Sequence, residues 1–453
     1  AVLAARPDQP VQQGEEHEPN NQPDQAQTIP IPARIAGKIA DGPTAGGDVD
    51  YFRFSARAGE QLILEIDAAR SNPKPASKAA AKPAMTAASA PASKLDSFIE
   101  VLDAKGERIP RVVLQAVRES YFTFRGKDGN QVNDFRIFNW EEMSIDEYLY
   151  SNGEVAKLWL APRGADSGFL VYPGRAGRWG YFDTTPLAHA LNEPCYIVQP
   201  HPPGTKIAQN RLPVYTIHYE NDDDSLRELG KDSRLTFTAP ADGEYLVKVR
   251  DVRGLQGPDH RYSLIVRPRR PDFAVTTTVV GKIAKIVPGS AREFRVAAKR
   301  IDGYDGPIRV DLEGLPQGFH ASTPVVIEAG QVDAEGVIFA DAGATAPEEA
   351  EAKANRFVAT AEIDGRAVSH EAGTLGAISI DAEPPKLKVA VAVAEGGAQP
   401  VAATGDGPLE FVVEAGKTIT LKLVVERNGF DGPIGFGTEG AGRNLPYGAF
   451  VDN

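Results

Sequence analysis

The sequence predicts an all-β chain built of several sandwich domains. Three observations carry that expectation. Short runs with apolar residues at every second position recur along the chain, the pattern of half-buried strands. Gly 44 and Pro 35 make up about 17% of 453 residues, against the about 12% of ordinary usage, and such punctuation suits strands joined by turns. A strand–turn–strand unit is also repeated near the end of the chain.

Taken in order, residues 1–14 are polar and Gln/Pro-rich and read as a flexible arm. Residues 31–39 alternate loosely. The runs 50–55 (DYFRFS) and 61–66 (QLILEI) have period two, with a turn at Ala58-Gly59-Glu60 between them. Residues 70–94 are low-complexity Ala/Pro/Ser/Lys, and Pro73, Pro75, Pro83 and Pro91 break any helix there. This stretch reads as a disordered loop inside a domain, because the strand pattern resumes over 95–102.

Residues 110–213 differ. All three tryptophans lie there, and 62 residues from Tyr121 to Phe182 hold 14 of the chain's 35 aromatic side chains. That density predicts a separate core or a binding face. Within it, 148–160 reads as a hairpin around an Asn152-Gly153 turn. Over 214–268 the earlier style returns, with strands at 235–238, 245–249 and 262–266.

The repeat comprises Phe294 to Ile308 and Leu421 to Ile434, which start 127 residues apart. Each copy is a strand, a turn (Tyr304-Asp305-Gly306-Pro307 or Phe430-Asp431-Gly432-Pro433) and a second strand. The spacing suits sandwich domains of about 100 residues. The second copy reads as an incomplete domain, with the expectation that the natural chain continues.

A formal charge of −13, with no dense basic run, argues against nucleic acid and anionic membrane surfaces as partners. One cysteine, Cys195, excludes an internal disulfide and any paired-cysteine metal or redox site. No apolar run approaches the roughly 18 residues of a membrane helix.

Three stretches together resemble the bacterial pre-peptidase C-terminal (PPC) domain, a small jelly-roll-like β-sandwich. They are Glu16-His17-Glu18-Pro19-Asn20-Asn21 with Gly47-Asp48-Val49-Asp50-Tyr51-Phe52-Arg53-Phe54 and Ala58-Gly59-Glu60-Gln61-Leu62; residues 95–103; and Asn221 to Asp224 with 232–245, including Thr238-Ala239-Pro240-Ala241-Asp242-Gly243. The match covers about 150 residues and departs from the family at two interruptions, the low-complexity loop and the aromatic segment. The resemblance therefore implies one sandwich from 15–109 plus 214–268, with 110–213 as an inserted β-rich domain. Residues 269–382 and 383–453 resemble immunoglobulin-like repeats of large bacterial surface proteins, the second incomplete.

PPC domains accompany secreted hydrolases, and in collagen-binding members an acidic linker binds calcium. The resemblance places a Ca²⁺ site on Glu16, Glu18, Asn20, Asn21, Asp48 and Asp50. The chemistry agrees: Ca²⁺ takes roughly six to eight carboxylate and amide oxygens, and Glu-x-Glu-x-Asn puts its side chains on one face of an extended chain. The competing reading is an acidic, turn-prone linker followed by a Gly-Asp turn. Asn221 to Asp224 forms a weaker second candidate, more simply read as a solvated loop.

No catalytic constellation is present. His370-Glu371 does not extend to a His-Glu-x-x-His motif, and Gly-x-Ser-x-Gly is missing. Cys195 has His189 and His201 nearby in sequence, but Cys-Tyr-Ile-Val reads as a buried strand. Gly435 to Gly440 matches Gly-x-Gly-x-x-Gly without the following helix that a dinucleotide site needs.

The reading that results is a non-catalytic, secreted, extracellular or cell-surface β-protein (alternatively periplasmic). It would serve adhesion, spacing or substrate targeting towards a protein or polysaccharide of the matrix or cell envelope. One alternative is the accessory portion of a secreted peptidase or other hydrolase. Another is carbohydrate binding by the inserted domain through Trp140, Trp159 or Trp179, whose rings can stack on sugars.

Overall fold

Alternation of apolar and polar side chains builds nearly every element of the computed structural model. It describes residues 9–40, 47–68, 93–123, 134–162, 167–174, 177–279, 284–382, 386–394, 397, 399–401, 411–434 and 449. The chain is all-β and divides into two units, Ala1–Arg270 and Pro271–Asn453. Among the described residues the one α-helix is Glu349–Lys353, and no helix is long and apolar enough to cross a membrane.

In the first unit two five-stranded sheets face each other. One runs in the order Gln12–Glu15, Ala33–Lys38, Arg261–Pro268, Gln61–Asp67, Arg234–Thr238. The other runs Glu220–Asn221, Ser97–Asp103, Gly243–Asp251, Asp50–Ala56, Gln27–Thr28. Asp50–Ala56 shows why they pack: residues 50, 52, 54 and 56 point inward while 51, 53 and 55 do not. One continuous core joins Phe52, Phe54 and Leu64 from the early chain to Phe237, Val247 and Leu264 from the late chain. Each such side chain contributes about 1.5–3 kcal/mol on burial. Phe237 meets Phe54, Tyr219 and Tyr245 edge-on, with centroids 4.9–6.0 Å apart, which locks the sheets in register across the interior.

The arm does not stay wholly free of the fold. Its residues 12–14, with Glu15, form an edge strand parallel to Ala33–Lys38, pairing Gln12 with Ala33 and Glu15 with Ala36. The low-complexity loop lies outside the described residues apart from its last two positions.

Between the two halves of this sandwich a seven-stranded sheet is inserted. Its order is Val214–His218, Pro110–Tyr121, Pro194–His201, Tyr148–Ser151, Glu154–Leu160, Phe169–Val171, Asp134–Phe135. The sheet carries apolar clusters of its own, one around Leu149, Leu158, Phe169 and Ile197 and another around Leu114, Val155 and Val198. The hairpin turns at Asn152 (φ 45°) and Gly153 (φ 91°), both left-handed as a tight Asn-Gly turn demands. Pro110 and His218, where the chain leaves and re-enters the sandwich, are register partners.

In the second unit, Asp272–Val279, Ala291–Ile301, Asp333–Ala340 and Phe319–Ala321 form one sheet. The other comprises Val325–Ile327, Ile308–Glu313, Arg356–Ile363 and Arg366–Glu371. Phe273, Phe294, Val310 and Phe357 lie in the shared core. The repeat is visible as structure. Arg300 donates to the carbonyls of Tyr304 (3.4 Å) and Gly306 (2.6 Å), and Arg427 donates to those of Phe430 (3.0 Å) and Gly432 (2.8 Å). A Cβ on Gly306 or Gly432 would run into the ring two residues before it, which explains the aromatic-Asp-Gly-Pro pattern. In the second copy Leu421–Arg427 pairs with Leu387–Val393; residues 435–448, including Gly435 to Gly440, lie outside the described residues.

Candidate metal site

The acidic linker and the strand Asp50–Ala56 meet at one end of the sandwich. Backbone bonds set the approach. Glu16 N–H donates to Ala36 O (2.9 Å), extending the parallel edge, and Tyr51 N–H donates to Asn20 O (2.9 Å). Glu18 then turns back on its own segment, its Oε2 accepting from Asn20 N–H (3.0 Å) and Asn21 Nδ2 (3.2 Å). Asn21 Oδ1 lies 3.4 Å from the N–H of Val49.

Carboxylate oxygens of Glu18, Asp48 and Asp50 lie within 4.8 Å of one another. Asp48 and Asp50 are 3% and 0% exposed. One oxygen of Asp48, Oδ2, accepts from Ala40 N–H at 2.5 Å, and its backbone N–H donates to Gln256 Oε1 at 2.8 Å. The other, Oδ1, is buried with no hydrogen-bond partner. An orphaned carboxylate oxygen is costly in a low-dielectric interior, and its place in an acidic cluster is what a cation ligand requires.

Glu16 joins from the side. Its Oε2 accepts from Lys38 N–H (2.9 Å) and lies 3.2 Å from the Tyr262 hydroxyl, which also bonds Asp50. Burial, reinforced by the neighbouring Glu16, pushes the Asp50 carboxyl up to about 9. Burial also raises Glu16, with Glu18 and Asp48 adding to it, and it holds Tyr262 far above an ordinary phenol. Like charges forced together with little water favour a proton or a cation.

Of the six residues read from sequence, Glu18, Asp48 and Asp50 come together as carboxylates. Glu16 reaches Asp50 through Tyr262, Asn21 positions Glu18 and the 48–50 turn, and Asn20 supplies a backbone anchor. Tyr262 and Gln256 were not foreseen. Tyr262 sits in an ordinary alternating strand, and its role rests on pairing with Gly37, 225 positions away.

The second candidate, Asn221 to Asp224, acts as a hydrogen-bonded bend. Asp224 accepts from the N–H groups of Leu226 (3.3 Å) and Glu228 (3.0 Å). The tryptophans lie on three elements: Trp140 in the turn Trp140–Glu142, Trp159 in Glu154–Leu160 and Trp179 just after Gly177–Arg178. Each is half-buried, and Trp140 packs against the Phe122 and Phe169 cluster. The rings gathered on one sheet face are instead Tyr148, Tyr150, Tyr196 and Tyr215. Cys195 is fully buried in Pro194–His201, and burial pushes its thiol up to about 12, far from a reactive thiolate. No protein-family model matches the chain, and no curated protein matches it.

Proposed function

We propose that the chain is a non-catalytic β-module of the bacterial cell exterior, of PPC type, whose acidic linker is ordered by calcium for adhesion, spacing or substrate targeting. The observation that carries the calcium reading is the clustering of the Asp48 carboxylate with those of Glu18 and Asp50, together with the buried, unpartnered Oδ1 of Asp48. Glu18, Asp48 and Asp50 would hold the ion, an all-oxygen donor set of the kind hard cations select. When bound, the ion supplies positive charge to a cluster of carboxylates that otherwise repel one another. The protein's own part is to bring the linker into reach: Glu18 belongs to the linker, Asp48 and Asp50 to the strand entrance, so shared ligation fastens one to the other. Two five-stranded sheets closed over a single core, interrupted once by the inserted sheet, support the PPC reading.

Calorimetry and thermal unfolding with and without millimolar CaCl₂ test this. Calcium is expected to bind and to raise the melting temperature, with about 2.7 kcal/mol of added stability at a hundredfold excess over Kd. Asp48→Asn should lose most of that increment while folding normally in EDTA. No heat and no shift in the parent protein would sink the calcium reading.

A further inference from the structure

A second buried polar cluster lies in the inserted sheet, away from the acidic linker. Residues 177–193 run across the junction between insertion and sandwich and are bonded to both. On the sandwich side, Asp183 Oδ2 accepts from Thr236 N–H (3.2 Å), and Gly180 N–H donates to Ser225 O (3.0 Å). Thr185 Oγ1 lies 2.5 Å from Asn221 Oδ1, and Arg227 donates to Pro186 O. On the insertion side, Thr184 Oγ1 accepts from Val155 N–H (3.0 Å), and the rings of Tyr181 and Phe182 lie against Tyr148. Phe182 and Asp183 hold left-handed backbone, φ 57° and 55°, a conformation that side chains disfavour and that surrounding contacts must maintain.

The insertion-side anchor is His189, 4% exposed. Its Nε2 is 2.7 Å from Glu154 Oε2 and its Nδ1 is 2.8 Å from Glu193 Oε1. A neutral imidazole has one N–H and one lone pair, so one nitrogen would then confront a carboxylate lone pair. Only the imidazolium donates to both. The remaining charge facing the ring from the packed elements is Arg178, whose Nε lies 3.1 Å from Glu154 Oε1. Two carboxylates against Arg178 and a protonated His189 cancel, whereas a neutral His189 leaves a net negative charge on side chains that are 2% exposed at Glu154 and Arg178. Phe122 stacks on the imidazole at 4.4 Å and Phe135 lies against it at 5.7 Å, so the ring faces are covered by apolar side chains.

We propose that residues 177–193 are a strap fixing the inserted sheet onto the sandwich, and that protonated His189 is its latch, so that the strap releases when the imidazolium loses its proton. Burial alone would draw His189 down; hydrogen bonds and charge from Glu154 and Glu193 outweigh it and hold it above the ordinary 6.5. A raised histidine stabilises fully below its unfolded value, and that stability goes as pH climbs through the folded value. The strap is therefore shut in acid and at neutrality and loosens on the alkaline side.

Trp179 lies within the strap and reports on it. With Trp140→Phe and Trp159→Phe leaving it as sole tryptophan, acrylamide quenching is read from about pH 5 to about pH 10, spanning the histidine range. Quenching is expected to stay low up to about pH 6.5 and then to rise at least twofold in one transition. Glu193→Gln removes one counter-charge and should move the midpoint to lower pH. His189→Gln should abolish the transition and show the loosened value throughout. A flat parent profile, or variants that superimpose on it, overturns the latch. Should His189→Gln fail to fold, ¹⁵N spectra of the parent's histidine rings decide: protons on both His189 nitrogens at about pH 7.5 support the latch, and a neutral tautomer with Trp179 still protected refutes it.

Discussion

Asp50 shows how one buried carboxyl links the site to stability. Its proton is held up to about 9 in the fold against 3.8 as an ordinary carboxyl, burial being the main cause and Glu16 the next. Between those values the folded chain binds more protons than the unfolded chain, so stability falls as pH rises through that window. A cation beside Asp50 removes the reason for the shift. Denaturant unfolding at a series of pH values should thus fall more steeply in EDTA than in calcium. His189 acts with the same sign on its alkaline side, so the informative quantity is the difference between the two curves. Parallel curves would mean that no cation compensates Asp50.

At the scale of elements, the repeat offers a controlled comparison. Arg300 spans four backbone carbonyls: Tyr304 and Gly306 in its own turn, Glu328 and Gln331 (both 2.8 Å) from a later one. Arg427 repeats the first pair in an exposed hairpin. A lysine lacks the rigid fork that reaches several carbonyls together. Arg300→Lys should cost about 1–3 kcal/mol, the usual cost of leaving buried acceptors unsatisfied. Arg427→Lys should stay within about 0.5 kcal/mol, as exposed substitutions do. Denaturant melts of both variants check the contrast, and equal losses would contradict it. The strands themselves were legible wherever period two was clean. The run read over 50–55 spans Asp50–Ala56, and that over 61–66 spans Gln61–Asp67. The twelve-residue Pro110–Tyr121 escaped notice, because glutamine, arginine and glutamate stand among its valines and blur the period. The edge strand Gln12–Glu15 was hidden altogether, since polar residues at a sheet edge carry no hydrophobic period.

Across the whole molecule, what sequence could not reveal is which distant strands pair. The acidic linker could be recognised as an oxygen-rich run, yet the proximity of Asp50 to Tyr262 depends on two facing sheets bringing together residues 212 positions apart. The strap was equally hidden, because Glu154 lies 35 positions before His189 and the nearby Glu193 alone marks no site. The architecture does make a clear demand on the insertion. Pro110 and His218 face each other in register, while Ile109 and Tyr219 belong to the core of the sandwich. Replacing residues 111–217 with Asn-Gly should leave a sandwich that unfolds cooperatively and keeps its calcium response. Circular dichroism and the same calcium titration test it; a molten product would show that the inserted sheet is part of the folding unit.

The parallel pairing of Gln12–Glu15 with Ala33–Lys38 has a mechanical side. Tension arriving along the arm pulls that strand lengthwise past its neighbour, so its ladder bonds share the stress together instead of peeling off singly. Glu16 and Glu18 lie immediately behind, where a cation shared with Asp48 and Asp50 would act as a stopper knot. Under such a load, force would pass into the sandwich before its entrance came apart.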